Sequence, residues 1–261
     1  PVAAADAYSA TEDSTLIVNA AAGVLANDQD IDGDTLTVTS FDALSAHGGT
    51  VAMNPDGGFT YSSLPNFNGS DSFSYTVDDG HGGTAAASVT LTVAAVNDAP
   101  VGTNNTATTL EDTPYTFVAA DFGFTDPSDA PDALLNVRIT SLPAAGTLTL
   151  SGAALTNGQF VSAASLTAGN LKFAPAANAN GAAYATFTFQ VQDDGGTANG
   201  GVDLDTSART MTVNVTSVND APVAAADAYA ATEDSTLIVS AAAGVLANDQ
   251  DIDGDTLTVS S

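Results

Sequence analysis

Asp28-Gln29-Asp30-Ile31-Asp32-Gly33-Asp34 sets four carboxylates on alternate residues around a glycine, and the heptad returns as Asp249-Gln250-Asp251-Ile252-Asp253-Gly254-Asp255. Acids at this spacing let a short loop turn three carboxylates onto one hard divalent cation, with Gly supplying the sharp bend. Left without a counter-ion, four like charges within seven residues repel one another. The heptad copies the first half of an EF-hand loop. Its twelfth position, however, is Thr39 or Ser260 where a bidentate Glu belongs, and no helical pattern flanks it. Calcium is therefore the expected ligand, in a setting other than an EF-hand.

Three further constellations accompany the heptad. Val96-Asn97-Asp98-Ala99-Pro100 recurs as Val218-Asn219-Asp220-Ala221-Pro222, pairing oxygen donors with a stiffening proline. Glu occurs only at Glu12, Glu111 and Glu233, each followed by Asp, so the other 28 of the 31 acids are Asp. Such regular placement suits a long carboxylate reaching a shared ion. Asp78-Asp79-Gly80 and Asp193-Asp194-Gly195 each close a segment rich in aromatic residues.

The elements that must position these groups read as β throughout. Thr15–Val18, Thr35–Phe41, Thr50–Met53, Phe59–Tyr61, Ser72–Val77 and Ser88–Val93 are rich in Val, Thr, Tyr and Phe, with a first strand near Val2–Tyr8. Phe73, Tyr75 and Val77 alternate with Ser72, Ser74 and Thr76, the pattern of a half-buried strand. Turn residues separate the runs, as at Asn54–Gly58, Asn66–Gly69 and Asp79–Gly83. Ala20–Ala26 is read as a crossover loop, with one turn of helix as the alternative. About seven short strands in about 99 residues is the count of a Greek-key sandwich.

Pro1–Val38 returns 221 residues later as Pro222–Val259, differing only at Ser9/Ala230 and Asn19/Ser240. With the two Val-Asn-Asp-Ala-Pro marks, this predicts modules at 1–99, 100–221 and 222–261. The third holds only the early strands, a piece too short to fold alone. Because the sequence opens and closes in mid-pattern, it is expected to be cut from a longer chain.

A net charge of −28 with 44 % hydrophobic residues describes a folded acidic chain that repels nucleic acid and anionic lipid. No apolar run reaches the length of a membrane span. With no Cys, stability must come from the core or from metal. Catalysis finds little support: His47 and His81 lie beside Gly in loops, no nucleophile elbow or phosphate loop appears, and the acids repeat per module where a catalytic pair is needed once.

Taken in order, Glu-Asp, Asp-x-Asp-x-x-x-Asp, the Asp-Gly after an aromatic strand and Asn-Asp-x-Pro resemble the pattern of bacterial cadherin-like tandem repeats of large surface adhesins. Residues 100–221, with Ser141–Leu150, Ala168–Phe173 and Phe187–Gly195, resemble the related chondroitin-sulfate-proteoglycan-type repeat. The resemblance implies an all-β rod of tandem cadherin- or immunoglobulin-like sandwiches, extracellular and not enzymatic, with calcium locking each junction. Carried over by motif, the first junction takes Glu12, Asp78 or Asp79, Asn97, Asp98, Asp126, Asp129 and Asp193 or Asp194. The second takes Glu111, Asp193 or Asp194, Asn219, Asp220, Asp251 and Asp253. Asp28, Asp30, Asp32, Asp34, Asp249 and Asp255 complete the ligand set. Neighbouring modules are the expected partners, with strand exchange between identical chains in a filament, or glycan binding, as the alternatives.

Overall fold

The computed structural model describes residues 1–129 and 132–260. Ala130 and Pro131, within the predicted acidic loop Asp126–Asp132, and Ser261, the end of the predicted third module, lie outside the described residues. The architecture is all-β. In the first hundred residues, strands β1 (Asp6–Thr11), β3 (Thr37–Phe41), β6 (Gly69–Asp78) and β7 (Thr84–Ala94) form one sheet in the order β1-β7-β6-β3. The second sheet is β2-β5-β4, from β2 (Leu16–Val18), β4 (Thr50–Met53) and β5 (Phe59–Ser62). The chain thus passes back and forth between the two sheets, as a Greek-key sandwich requires.

The inward phase of each strand supplies one core, in which Phe59 of one sheet meets Phe73 of the other edge-to-face at 5.4 Å. Tyr75, Val77, Val89 and Leu91 are all 1 % exposed or less. First and last strands pair in parallel, Asp6 opposite Val89 through Thr11 opposite Ala94. The long antiparallel β6–β7 ribbon runs from Gly69 opposite Val93 to Asp78 opposite Thr84. At about 3.4 Å per residue, that places its two ends roughly 30 Å apart. The Ala-rich crossover is more ordered than a loop: it forms two 3-10 turns, Ala20–Ala22 and Val24–Ala26, the first capped by Asn19. The cap, together with the fully buried Val24, holds the turns in place.

The middle segment repeats the plan with additions. Its larger sheet has the order β13-β10-β15-β16-β8 and its smaller one β12-β11-β14-β9. The strands are β8 (Asn105–Leu110), β9 (Tyr115–Thr116), β10 (Leu134–Ser141), β11 (Thr147–Leu150), β12 (Ala153–Ala154), β13 (Phe160–Ser162), β14 (Leu171–Ala174), β15 (Gly181–Asp193) and β16 (Arg209–Thr216). A five-residue helix α1 (Ala163–Thr167), capped by Ser162, buries Leu166. Phe117 meets Phe187 at 5.4 Å and Phe122 meets Phe189 at 4.9 Å, both edge-to-face. Here too the first strand runs parallel to the last, β8 against β16.

Residues 222–260 carry little regular structure. The predicted early strands do not form among the described residues; one 3-10 turn, Ala241–Ala243, and a single bridge, Val223 to Gln250, are present. A strand needs a ladder partner, and nothing in this segment corresponds to β5, β6 or β7.

The chain divides into two compact units. One joins Pro1–Val101 to Phe124–Leu135 and Val191–Thr206; the other holds Gly102–Gly123, Asn136–Gln190 and the residues from Ser207 on.

Candidate metal centres

Within the first unit, Asp30, Asp34 and Asp79 bring carboxylate oxygens within 4.8 Å of one another. The loop is folded by its own backbone: Asp30 Oδ1 accepts from the N–H of Asp32 (2.8 Å) and of Asp34 (3.3 Å). Gly33 at φ 84° makes the bend. Asp79 Oδ1 accepts from the N–H of His81 and Gly83, at 2.8 and 2.9 Å, and His81 Nδ1 lies 3.3 Å from Asp34 Oδ2. The backbone N–H of His81 is the chief cause holding the Asp79 carboxyl below its ordinary range.

Asp28 points elsewhere. It accepts from Ala4 N (2.7 Å) and from the Tyr75 hydroxyl (3.1 Å), tying β6 to the chain entry. Asp249 likewise accepts from Ala225 N at 2.8 Å. Asp78 caps its own turn through Gly80 N.

A second set in the same unit surrounds Asn97. Its Nδ2 donates to Asp193 Oδ1 (3.1 Å) and Val202 O (2.8 Å), while Asp98 N donates to Asp129 Oδ2 (2.5 Å). Ala133 N donates to Asp194 Oδ1 at 2.7 Å, which holds that side chain in the same loop cluster. Glu12, 2 % exposed, accepts from Val96 N through Oε1. Burial first, then the charges of Asp193 and Asp129, push the Asp126 carboxyl up; the nearby Asp129 N–H opposes this without full hydrogen-bond geometry. Burial likewise raises Asp193, Asp98 and Asp132. At Gly195 a Cβ would run into Asn97 Oδ1 and Asp132 Oδ2. Gly195→Ala is therefore expected to displace those side chains and lower stability by about 1–3 kcal/mol, read by thermal melting.

The second unit contains an analogous set. Glu111, Asp220 and Asp253 bring carboxylate oxygens within 4.8 Å of one another. Glu111 accepts from Val218 N (2.5 Å), as Glu12 does from Val96 N, and Asp220 N donates to Asp253 Oδ2 (2.6 Å), as Asp98 N does to Asp129. Asp251 Oδ1 receives the N–H of Asp253 and Asp255, repeating the Asp30 loop. Asn219 donates to Asp220 O. Burial, then the charge of Asp253, raises Asp220, while the Val218 N–H chiefly lowers Glu111.

This division differs from the motif assignment. Asp79 joins Asp30 and Asp34, not Glu12 and Asn97, because β6 carries it to one end of the β6–β7 ribbon while β7 delivers Asn97 to the other. Asp193 bonds Asn97, whereas the set around Asp220 consists of Glu111, Asp220 and Asp253.

Two features were not anticipated. Glu12 and Glu111, both buried, are each followed by an Asp in the left-handed region (Asp13 φ 56°, Asp112 φ 57°), a turn that Asp tolerates. Those Asp carboxylates accept from Asn66 N and Asn178 N, and two residues on, Asn180 Nδ2 donates to Glu111 Oε2 at 3.0 Å. The available signal was Asn-x-Asn-Gly, present at both Asn66–Gly69 and Asn178–Gly181.

Eight buried side-chain atoms lack a hydrogen-bond partner among the described residues: Ser63 Oγ, Arg138 Nε, and six acceptor oxygens on the acidic sets. The six are Glu12 Oε2, Asn97 Oδ1, both Asp126 oxygens, Asp193 Oδ2 and Asp220 Oδ2. An orphaned buried acceptor is costly, and a hard cation is the partner that would satisfy several at once. The donor set therefore fits calcium.

Residues 1–95 match the family model of the bacterial cadherin-like domain, 97–205 that of the bacterial Ig domain and 218–261 that of the cadherin-like domain. The middle match is thus to an immunoglobulin-like family, not to the proteoglycan-type repeat that its motifs resemble. Drosophila N-cadherin EC1-4 is similar in structure at 10 % identity and TM-score 0.48, over 86 % of this chain and 51 % of that one. Human CDH23 EC21-23 is similar at 16 % identity and TM-score 0.48, over 86 % and 77 %. Mouse cadherin-23 EC22-24 gives 14 % identity and TM-score 0.46, over 85 % and 66 %. This chain therefore spans about half the length of the N-cadherin structure. No curated protein matches the sequence.

Proposed function

Since the chain is built of bacterial cadherin-like and immunoglobulin-like modules, we propose that it is a calcium-stiffened extracellular spacer of a bacterial surface protein, supporting adhesion without catalysing a reaction. The observation that carries this reading is the set of orphaned acceptors: six buried oxygens without a hydrogen-bond partner among the described residues fall on residues singled out by motif as ligands. Glu12, Asn97, Asp98, Asp126, Asp129 and Asp193 would hold one group of ions, and Glu111, Asn219, Asp220, Asp251 and Asp253 another. Asp30, Asp34 and Asp79 offer a third acidic corner. Asp132 joins the first group on geometry alone, since it faces Gly195 beside Asn97.

Bound calcium would supply positive charge that lets these carboxylates stay ionised while buried. The chain's residues do the rest: backbone N–H groups fix each carboxylate, and Pro100 and Pro222 limit the linkers. Extracellular calcium modules bind with Kd on the order of 10⁻⁴–10⁻³ M. An ion level about 100-fold above Kd adds roughly 2.7 kcal/mol per site to the folded state. Among the described residues no helix is long and apolar enough to cross a membrane.

Calorimetric titration and small-angle scattering of the whole chain test the proposal. Calcium is expected to bind with heat, and EGTA to change the maximum dimension and expose the linkers to protease. An absent binding heat together with an identical scattering profile in EGTA would overturn it.

A further inference from the structure

We propose that Arg138 and Phe160, on the outer face of the larger sheet in the second unit, bind an anionic polysaccharide. Phe160 would lie against a sugar ring, and Arg138 would hold the carboxylate or sulfate that the sugar carries. The inference does not rest on the calcium reading, because neither residue belongs to an acidic set.

Arg138 is one of three Lys or Arg in a chain with 31 acids. Even so, no carboxylate pairs with it among the described residues. Its Nε is buried without a hydrogen-bond partner there. A guanidinium keeps its charge at any pH the protein meets, and its planar fork matches a carboxylate or sulfate. The contact it does make is with Phe160, whose ring centroid lies 5.8 Å from the guanidinium carbon. The two residues sit directly opposite each other in the antiparallel β10–β13 ladder. Phe160 is nonetheless 45 % exposed.

Strand β13 is an addition to the sandwich. The matching sheet of the first unit ends at β3, with no strand in the place that β13 occupies. Within β13 the core is served by Val161, which is fully buried, while Phe160 takes the outward phase. A large aromatic at that position gives the core nothing.

The rest of this outer face suits a sugar. Its outward side chains within the second unit are mostly Thr, Asn and Gln, and none is Asp or Glu. Asn136 and Thr140 flank Arg138 on the same face of β10, and Thr140 donates to Thr188 of β15 at 2.7 Å. Hydroxyl and amide groups both donate and accept, as sugar hydroxyls do. An unpaired guanidinium on an acid-free face favours an anionic ligand where the rest of a chain of net charge −28 repels one. An acidic peptide would satisfy Arg138 but would leave the surrounding hydroxyl and amide surface without its natural match.

Fluorescence anisotropy of labelled short oligomers, titrated with the full chain in calcium, tests the site. Galacturonate oligomers supply the carboxylate, carrageenan oligomers the sulfate and galactan oligomers neither, so the anionic probe that binds identifies the acid group. Arg138→Gln is expected to weaken that binding about 10–100-fold, the effect of losing charge-assisted hydrogen bonds. Arg138→Lys keeps the charge without the fork and should recover only part of it. Phe160→Ala should weaken binding about two- to tenfold. Lys172→Gln removes the same charge from an exposed position on the smaller sheet and should leave binding unchanged. If Arg138→Gln does not fold, the Arg138→Lys and Phe160→Ala titrations decide. The proposal fails if neither anionic probe binds, if galactan binds as tightly, or if Arg138→Gln and Lys172→Gln weaken binding equally. Polyglutamate binding as tightly as the sugars, with Phe160→Ala silent, would assign the site to acidic peptides and overturn it.

Discussion

Asp71→Ala is expected to lower the melting temperature of the first module by more than about 10 °C, the largest single-residue effect anticipated outside the hydrophobic core. Asp71 is 2 % exposed, on β6 in the same inward phase as Phe73, Tyr75 and Val77. Its carboxylate accepts from the Ser45 hydroxyl, the Tyr61 hydroxyl (2.7 Å), His47 N (3.0 Å) and Ser72 N (2.8 Å). Removing it strands several buried donors, each worth about 1–3 kcal/mol, so a total of about 3–5 kcal/mol is expected. Tyr61→Phe alone should cost less, and the double variant less than the sum, because both act on one network.

Burial taken alone would raise the Asp71 carboxyl, but the hydrogen bonds led by Ser45 and Tyr61 outweigh it and the net direction is down. A carboxyl lowered on folding contributes stability that is complete above its unfolded pKa and disappears as the pH falls through its folded value. Acid should therefore weaken the wild-type module more steeply than Asp71→Ala. Thermal melts between about pH 3 and pH 7 read this difference, and parallel pH profiles would refute the assignment.

Asp126→Asn should change sign with calcium. In EGTA, neutralising Asp126 removes a buried charge facing Asp193 and Asp129, and the second module is expected to gain about 1–2 kcal/mol. In calcium the same change deletes an anionic ligand. A hundredfold loss of affinity would reduce an ion contribution of about 2.7 kcal/mol to about 0.4 kcal/mol. Set against the metal-free gain, the net loss in calcium is about 0.3–1.3 kcal/mol, so melting should fall by a few °C in calcium and rise in EGTA. The raised Asp126 carboxyl also means that metal-free wild type gains stability as the pH falls through the folded pKa, a gain missing from the variant. A shift of the same sign in both conditions would remove Asp126 from the ion site.

The strand plan was legible because β6 and β7 alternate cleanly: Phe73, Tyr75 and Val77, then Val89, Leu91 and Val93, all turn inward. Asp71 breaks that alternation chemically while obeying it geometrically. Its partners Ser45, His47 and Tyr61 lie 10–26 residues away, beyond any local spacing rule. His47 reads as a plain loop residue, yet it stacks on Phe67 at 5.0 Å and meets Asp71 at 3.3 Å. Asp28 looks equivalent to Asp30 in sequence, and only the fold shows it bonded to Tyr75. The grouping of the acidic residues needed strand direction, which motif order does not carry. Helix α1, at five residues, is too short for a 3.6-residue period to register.

The parallel pairing of first and last strands decides how each module meets a stretching force. Six successive pairs join β1 to β7, and six join β8 to β16. The backbone N–H of Glu12 and of Glu111 extends each ladder by one more bond, to Ala94 O and Thr216 O. Traction on the two ends of such a module drags these strands lengthwise past each other, loading the whole row of bonds together. An antiparallel terminal pair would instead peel open one bond at a time. Rupture must therefore break the row at once, and resistance to pulling resides in the terminal strands themselves.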